Sequence, residues 1–203
     1  MNPSKFPINW FDFGVVAILV IGILRGRKNG MSGELLPLIQ WLAIIFCGAL
    51  LYKPLGQVVA ANTVFGLLFS YVAAYVTIAV ATKLLFTALR RLLRGKLVGA
   101  DTFGGAEYYL GMLSGMVRFA CLLVFFLSLL NARLFAAIEV QAMRNSQKEV
   151  YGSEFFPTLH TLQEQVFAKS LSGPWIKSNL NLLLVAPTAP EQKSLPRREA
   201  DFP

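Results

Sequence analysis

Residues 108–130 read YYLGMLSGMVRFACLLVFFLSLL, an apolar run carrying a single charge, Arg118. About 20 predominantly apolar residues are enough for a helix to cross a ~30 Å hydrocarbon core, so this stretch is read as a membrane span. Working outward, three more runs have the same character. Residues 8–24 are interrupted only by Asp12, residues 35–52 carry no charge, and no charge falls between Pro54 and Thr82, which places a further span at residues 64–85. Its helix is expected to run on to about Leu93, because the sequence stays helix-favourable.

The composition agrees. Hydrophobic residues make up 55% of the 203 and charged residues 15%, with a mean hydropathy of +0.56; a soluble domain carries roughly 25% charged residues. The fold class that follows is all-α: a polytopic membrane protein with four transmembrane helices (residues 1–131) and a short amphipathic helical tail (residues 132–186). The Pro-, Ala- and charge-rich residues 187–203 are expected to be disordered. The first run is expected to be a retained span and not a cleaved leader, since Arg25, Arg27 and Lys28 follow it and no small-x-small site does. Pro37 is expected in the first turn of the second span, and Lys53-Pro54-Leu55-Gly56 is expected to end that span.

The net charge of +8 lies in loops and tail, not in a folded basic domain, so nucleic acid is not an expected partner. Between the first two spans, residues 25–34 hold three Lys or Arg, and residues 83–107 hold five; the N-terminus and the second loop hold Lys5 and Lys53 alone. The positive-inside rule then puts both basic loops in the cytoplasm and both termini outside. Trp10, Trp41 and Tyr52 suit the membrane interfaces.

In the tail, Phe155, Phe156, Leu159, Leu162, Val166 and Phe167 form an apolar stripe at helical spacing, with Ser153 as N-cap and Pro157 in the first turn. The stripe has few basic neighbours, which favours packing on the bundle over lying on the outer leaflet. Leu180 to Ala186 is apolar but too short to span.

Polar residues inside spans are the first candidates for function. Arg118 stands about 15 Å into its helix and points back toward the helix N-terminus, where Glu34 is its natural partner; Glu107, eleven residues away on the same helix, is too far. Asp12 is read as a helix cap, a partner inside the bundle or a water-exposed group. Gly111, Gly115, Arg118 and Leu122 share one face, and Gly111-x-x-x-Gly115 is a small-xxx-small surface that lets another backbone approach closely. Cys47 and Cys121 sit in apolar runs and are read as packing residues. With one histidine, His160, and no HExxH, GxSxG or Walker loop, no catalytic set, metal or cofactor is expected.

These residues resemble the colicin V production protein (CvpA) family, small bacterial inner-membrane proteins of about four spans. Asp12 opens the first span as in the family pattern. Arg25, Gly26, Gly30 and Glu34 complete its Arg-Gly-x-x-x-Gly-x-x-x-Glu block. Gly111, Gly115 and Arg118 match the second block, where Glu107 stands for Asp, Tyr108 for Arg and Phe119 for the last Gly. The likeness covers roughly residues 8–131 and is weak beyond. It implies an inner-membrane protein linked to colicin V production or export and envelope homeostasis. Two readings follow. One is a non-enzymatic component acting through helix contacts with itself or with export proteins. The other is a small transporter or channel subunit with Glu34 and Arg118 on a polar path.

Overall fold

The computed structural model describes residues 8–93, 104–152 and 158–189. Its elements are α1 (Trp10–Asn62), α2 (Leu67–Leu93), α3 (Glu107–Asn131), α4 (Ala137–Tyr151), α5 (Leu159–Phe167) and α6 (Ser172–Asn179), with single 3-10 turns at Gly104–Ala106 and Asn181–Leu183. Among the described residues there is no strand, only an isolated bridge between Arg133 and Thr188. Three helices, α1, α2 and α3 with its preceding turn, are long and apolar enough to cross a membrane.

Helix α1 has 53 residues, about 80 Å if it were straight. It is not straight, because Gly30 has φ 68° and ψ 174°, a left-handed φ that only glycine adopts cheaply. The contacts on either side of Gly30 show the chain turning back. On the first limb, residues 10–29, an added Cβ at Gly22 would lie 2.8 Å from the Gly115 carbonyl oxygen, and one at Gly26 would collide with that of Gly111. As numbers rise on α1 they fall on α3, so the two run antiparallel. On the second limb, residues 31–62, Glu34 meets Arg118 and Trp41 meets Phe125. Numbers now rise together, so this limb runs parallel to α3. The basic loop expected between the first two spans is therefore a one-glycine reversal between helical limbs.

The second limb also runs further than expected. Pro37 and Pro54 both lie inside α1, which ends at Asn62. A proline inside a helix removes one hydrogen bond and costs roughly 3 kcal/mol, but here aromatic packing holds the helix on both sides of Pro54. Tyr52 meets Tyr71 edge-on at 5.5 Å, and the rings of Tyr71 and Tyr75 fill the space beside Gly56 and Gly48. Helix α1 stops where the Asn62 and Thr63 side chains take the Val58 and Val59 carbonyls at 2.8 and 2.6 Å and Thr63 turns extended. Helix α2 begins at Leu67, not Val64, and ends at Leu93 as expected. Tyr75 stacks on Phe125, tying α2 to α3. Tyr52 is 2% exposed and packs inside the bundle.

The tail packs on the bundle. Val166, Phe167, Ile176 and Leu184 join Phe11, Ile45, Val124 and Leu127 in one apolar cluster. The outer part of the predicted stripe, Leu159 and Leu162, stays exposed. Ser153, Phe155, Phe156 and Pro157 lie outside the described residues. The cap of α5 is Thr158, whose hydroxyl accepts from the Thr161 N–H at 3.3 Å. Residues 187–189, expected to be disordered, are pinned. The Thr188 N–H donates to Ala132 O at 2.8 Å and the Leu134 N–H to Thr188 O at 3.0 Å, because the chain beyond α3 leaves backbone groups to satisfy.

A side chain at a glycine of the α1–α3 contact forces the helices apart. Gly26→Leu is expected to destabilise the protein by about 3 kcal/mol or more. Gly14→Ala, where an added Cβ meets nothing within 4 Å, is expected to be neutral or to stabilise by up to about 1 kcal/mol. Thermal or chemical unfolding in detergent measures both.

Candidate functional site

The intramembrane arginine has the partner that its position demands. Arg118 Nη1 lies 2.5 Å from Glu34 Oε2, with the Glu34 side chain wholly buried. Helix tilt supplies the geometry. Arg118 reaches down α3 toward its N-terminus, and Glu34, one turn past the reversal, reaches up to meet it. The second Glu34 oxygen accepts from Asn29 Nδ2 at 2.6 Å. Both carboxylate oxygens are thus satisfied, which a charge in a low-dielectric interior requires.

Next to this pair, Glu107 Oε1 accepts from the Ser32 backbone N–H at 2.8 Å. Ser32 lies in the first turn of the second limb, where helix N–H groups have no intrahelical partner, so Glu107 caps that limb from another helix. Its side chain also fills the space beside Gly30, within 2.6 Å of where a Cβ would be. Sequence reasoning set Glu107 aside as too remote from Arg118. The signal was its spacing: Glu107, Gly111 and Arg118 lie on one face of α3, and that face lines the reversal. Glu107 Oε2, Ser32 Oγ and Ser114 Oγ are buried there without a hydrogen-bond partner. Gly26, Gly30, Gly111 and Gly115 form the close backbone contact under the cluster, while Arg25 stays exposed on the outer side of the first limb.

Asp12 belongs to a second polar centre at the opposite end of the bundle. Its Oδ2 accepts from the Asn9 N–H at 2.9 Å, closing a capping box at the start of α1. The same carboxylate accepts from the N–H groups of Leu171 and Ser172 at 3.1 and 2.9 Å and from the Ser172 hydroxyl at 2.6 Å. One side chain therefore caps two helices, α1 and α6. Around it, Trp10 Nε1 donates to Gln165 Oε1, the Val185 N–H to Ser128 Oγ, Asn131 Nδ2 to Val185 O, and the Ala186 N–H to the Tyr52 hydroxyl.

Among the described residues no three His, Cys, Asp or Glu side chains cluster as metal ligands. Cys47 and Cys121 are both half-buried free thiols. His160 lies edge-on to Phe135, away from both polar centres.

The conserved-family comparison bears on the pattern that joins these positions. The profile of the family described as colicin V production protein matches residues 11–161. The chain belongs to this family. The match takes in Asp12, both halves of the Gly30 reversal, and α3. It also continues through α4 into α5, so the colicin V production likeness reaches further than residue 131, where the motifs stop. Neither the curated proteins nor the solved structures contain a match.

Breaking a buried ion pair on one side costs more than removing it whole. Glu34→Leu or Arg118→Leu alone is expected to destabilise by about 3–5 kcal/mol, and the double variant Glu34→Leu/Arg118→Met by much less. A double-mutant cycle on unfolding free energies in detergent reads the coupling. Asp12→Ala removes two caps at about 1 kcal/mol each. Limited proteolysis of that variant is expected to cut the tail before α6 at concentrations that leave the native protein intact.

Proposed function

We propose that this colicin V production family protein is a bacterial inner-membrane component that supports toxin production or export and envelope homeostasis. It acts without catalysis, through helix packing with itself or with other membrane proteins. The chain crosses the membrane four times, with the Gly30 reversal in the cytoplasm and both termini outside. The observation that carries this reading is the use made of the family residues. Gly26, Gly30, Gly111 and Gly115 provide backbone contact, and Glu34, Arg118 and Asp12 are all engaged in holding helices to each other. Of the polar groups that the family pattern marks, Asp12, Glu34, Glu107 and Arg118 each hold one helix to another, while Arg25 stays exposed. The Lys and Arg counts in the two basic loops support the orientation, and the folded-back first helix supports the count of four.

Site-specific crosslinking in native membranes tests the mode of action. The expected result is a homo-oligomer or a defined membrane partner; a monomer with no partner at any position overturns it. In the same strain, a C-terminal phosphatase fusion is expected to be active, and an inactive phosphatase with an active cytoplasmic reporter reverses the orientation.

A small transporter or channel subunit is the second reading. It is favoured by the unpartnered buried oxygens of Glu107, Ser32 and Ser114 beside the Glu34–Arg118 pair, since buried polar atoms without partners commonly mark a site for water or an ion. Flux through liposomes that Arg118→Ala abolishes distinguishes it from the first.

A further inference from the structure

Two cavities border one face of the second limb of α1, one wholly apolar and one of mixed lining. The first, about 360 Å³, is walled by Leu19, Leu42, Phe46, Ala120 and Leu183 among others, with no polar lining surface. Water in such a space would have no hydrogen-bond partners. The glycine contact of α1 and α3 closes it toward the reversal, and Leu180 and Leu183 close it toward the tail. It opens sideways past Phe46, which is 54% exposed on the lipid-facing surface. Whatever fills it enters from the hydrocarbon.

One turn further along the same helix face, beyond Ala49, the second cavity of about 540 Å³ presents Lys53, Ser178, Asn179 and Asn181. No carboxylate among the described residues pairs with Lys53; its ammonium sits 5.9 Å from the Tyr52 ring centre. The turn at Asn181–Leu183 borders both spaces, with Leu183 on the apolar one and Asn181 and Leu182 on the other. An apolar slot open on its side at Phe46, with the Lys53 ammonium two turns further along the same helix and hydroxyl and amide groups beside it, matches an amphiphile whose chain enters sideways: one alkyl chain and an anionic head.

We propose that this face of α1 is a specific site for one anionic phospholipid of the tail-side leaflet, with an acyl chain between Leu42, Phe46 and Ala120 and the phosphate at Lys53. The inference rests on the membrane placement of α1 and α3 and is independent of the role in toxin production, so either can fail alone.

The test is native mass spectrometry of the full-length protein in detergent, titrated separately with dioleoyl phosphatidylglycerol and dioleoyl phosphatidylcholine. One bound phosphatidylglycerol is expected, retained about fivefold better than phosphatidylcholine, as a single lysine facing an anionic head predicts. Lys53→Gln is expected to remove that preference and leave the phosphatidylcholine level unchanged. Ala120→Phe, at an unchanged melting temperature, is expected to reduce retention of both lipids several-fold, and millimolar inorganic phosphate is expected to displace neither. Equal retention of the two lipids by the native protein overturns the proposal. So does a preference that survives Lys53→Gln, or displacement by free phosphate, which would mark a headgroup site without a chain slot. If Ala120→Phe melts early, the exposed Lys53→Gln variant alone decides.

Discussion

Backbone contact between two helices governs this structure. Gly22 and Gly26 on one side and Gly111 and Gly115 on the other leave no room for a Cβ. Helices in lipid gain nothing from hiding apolar surface from each other, so their association depends on how closely atoms approach. With α1 and α3 locked at that distance, the remaining geometry follows. Glu107 reaches across to the reversal at Gly30, the second limb leaves at a fixed place, and Glu34 arrives opposite Arg118. Close contact at one glycine seam thus positions a charge pair about one turn away. The large exposed side chains, among them Phe13, Leu24, Leu50, Leu84 and Phe126, are what this arrangement turns outward.

Much of this was legible in the sequence, because the forces involved are local or one-dimensional. Span positions follow from the number of apolar residues, and the extension of α2 to Leu93 from helix propensity. The Glu34–Arg118 pair follows from the cost of an unpaired charge and the tilt of side chains along a helix. The failures share a cause. Pro54-Leu55-Gly56 reads as a break by its residue types, yet tertiary packing carries the helix through it; the basic stretch around Gly30 does reverse the chain, but at one glycine instead of over a loop. At Pro54 the tyrosines of α2 hold the helix together. At Gly30 a carboxylate from a helix seventy-five residues further on completes the turn that the backbone alone would leave open. No local rule contains either partner.

The two ends of the bundle solve the same problem of unsatisfied helix termini in different ways. At the reversal, a side chain from another helix does it: Glu107 accepts from the Ser32 backbone N–H. At the other end the tail itself is the partner. Val185, wholly buried, is held through its N–H and its carbonyl by Ser128 and Asn131, and Thr188 continues the pairing beyond α3. The residues after α3 are therefore part of the bundle's end surface.

The double capping by Asp12 imposes an order on assembly. Its two partners in α6 lie 159 and 160 residues later in the chain. At ribosomal speeds of about 5–20 residues per second, they emerge roughly 10–30 s after Asp12 does. During that interval the first helix is already made while its carboxylate serves α1 alone. The bundle can close at this end only after Ser172 has been made: a chain truncated before residue 171 has every long helix and yet lacks the groups that fasten the first of them to the tail.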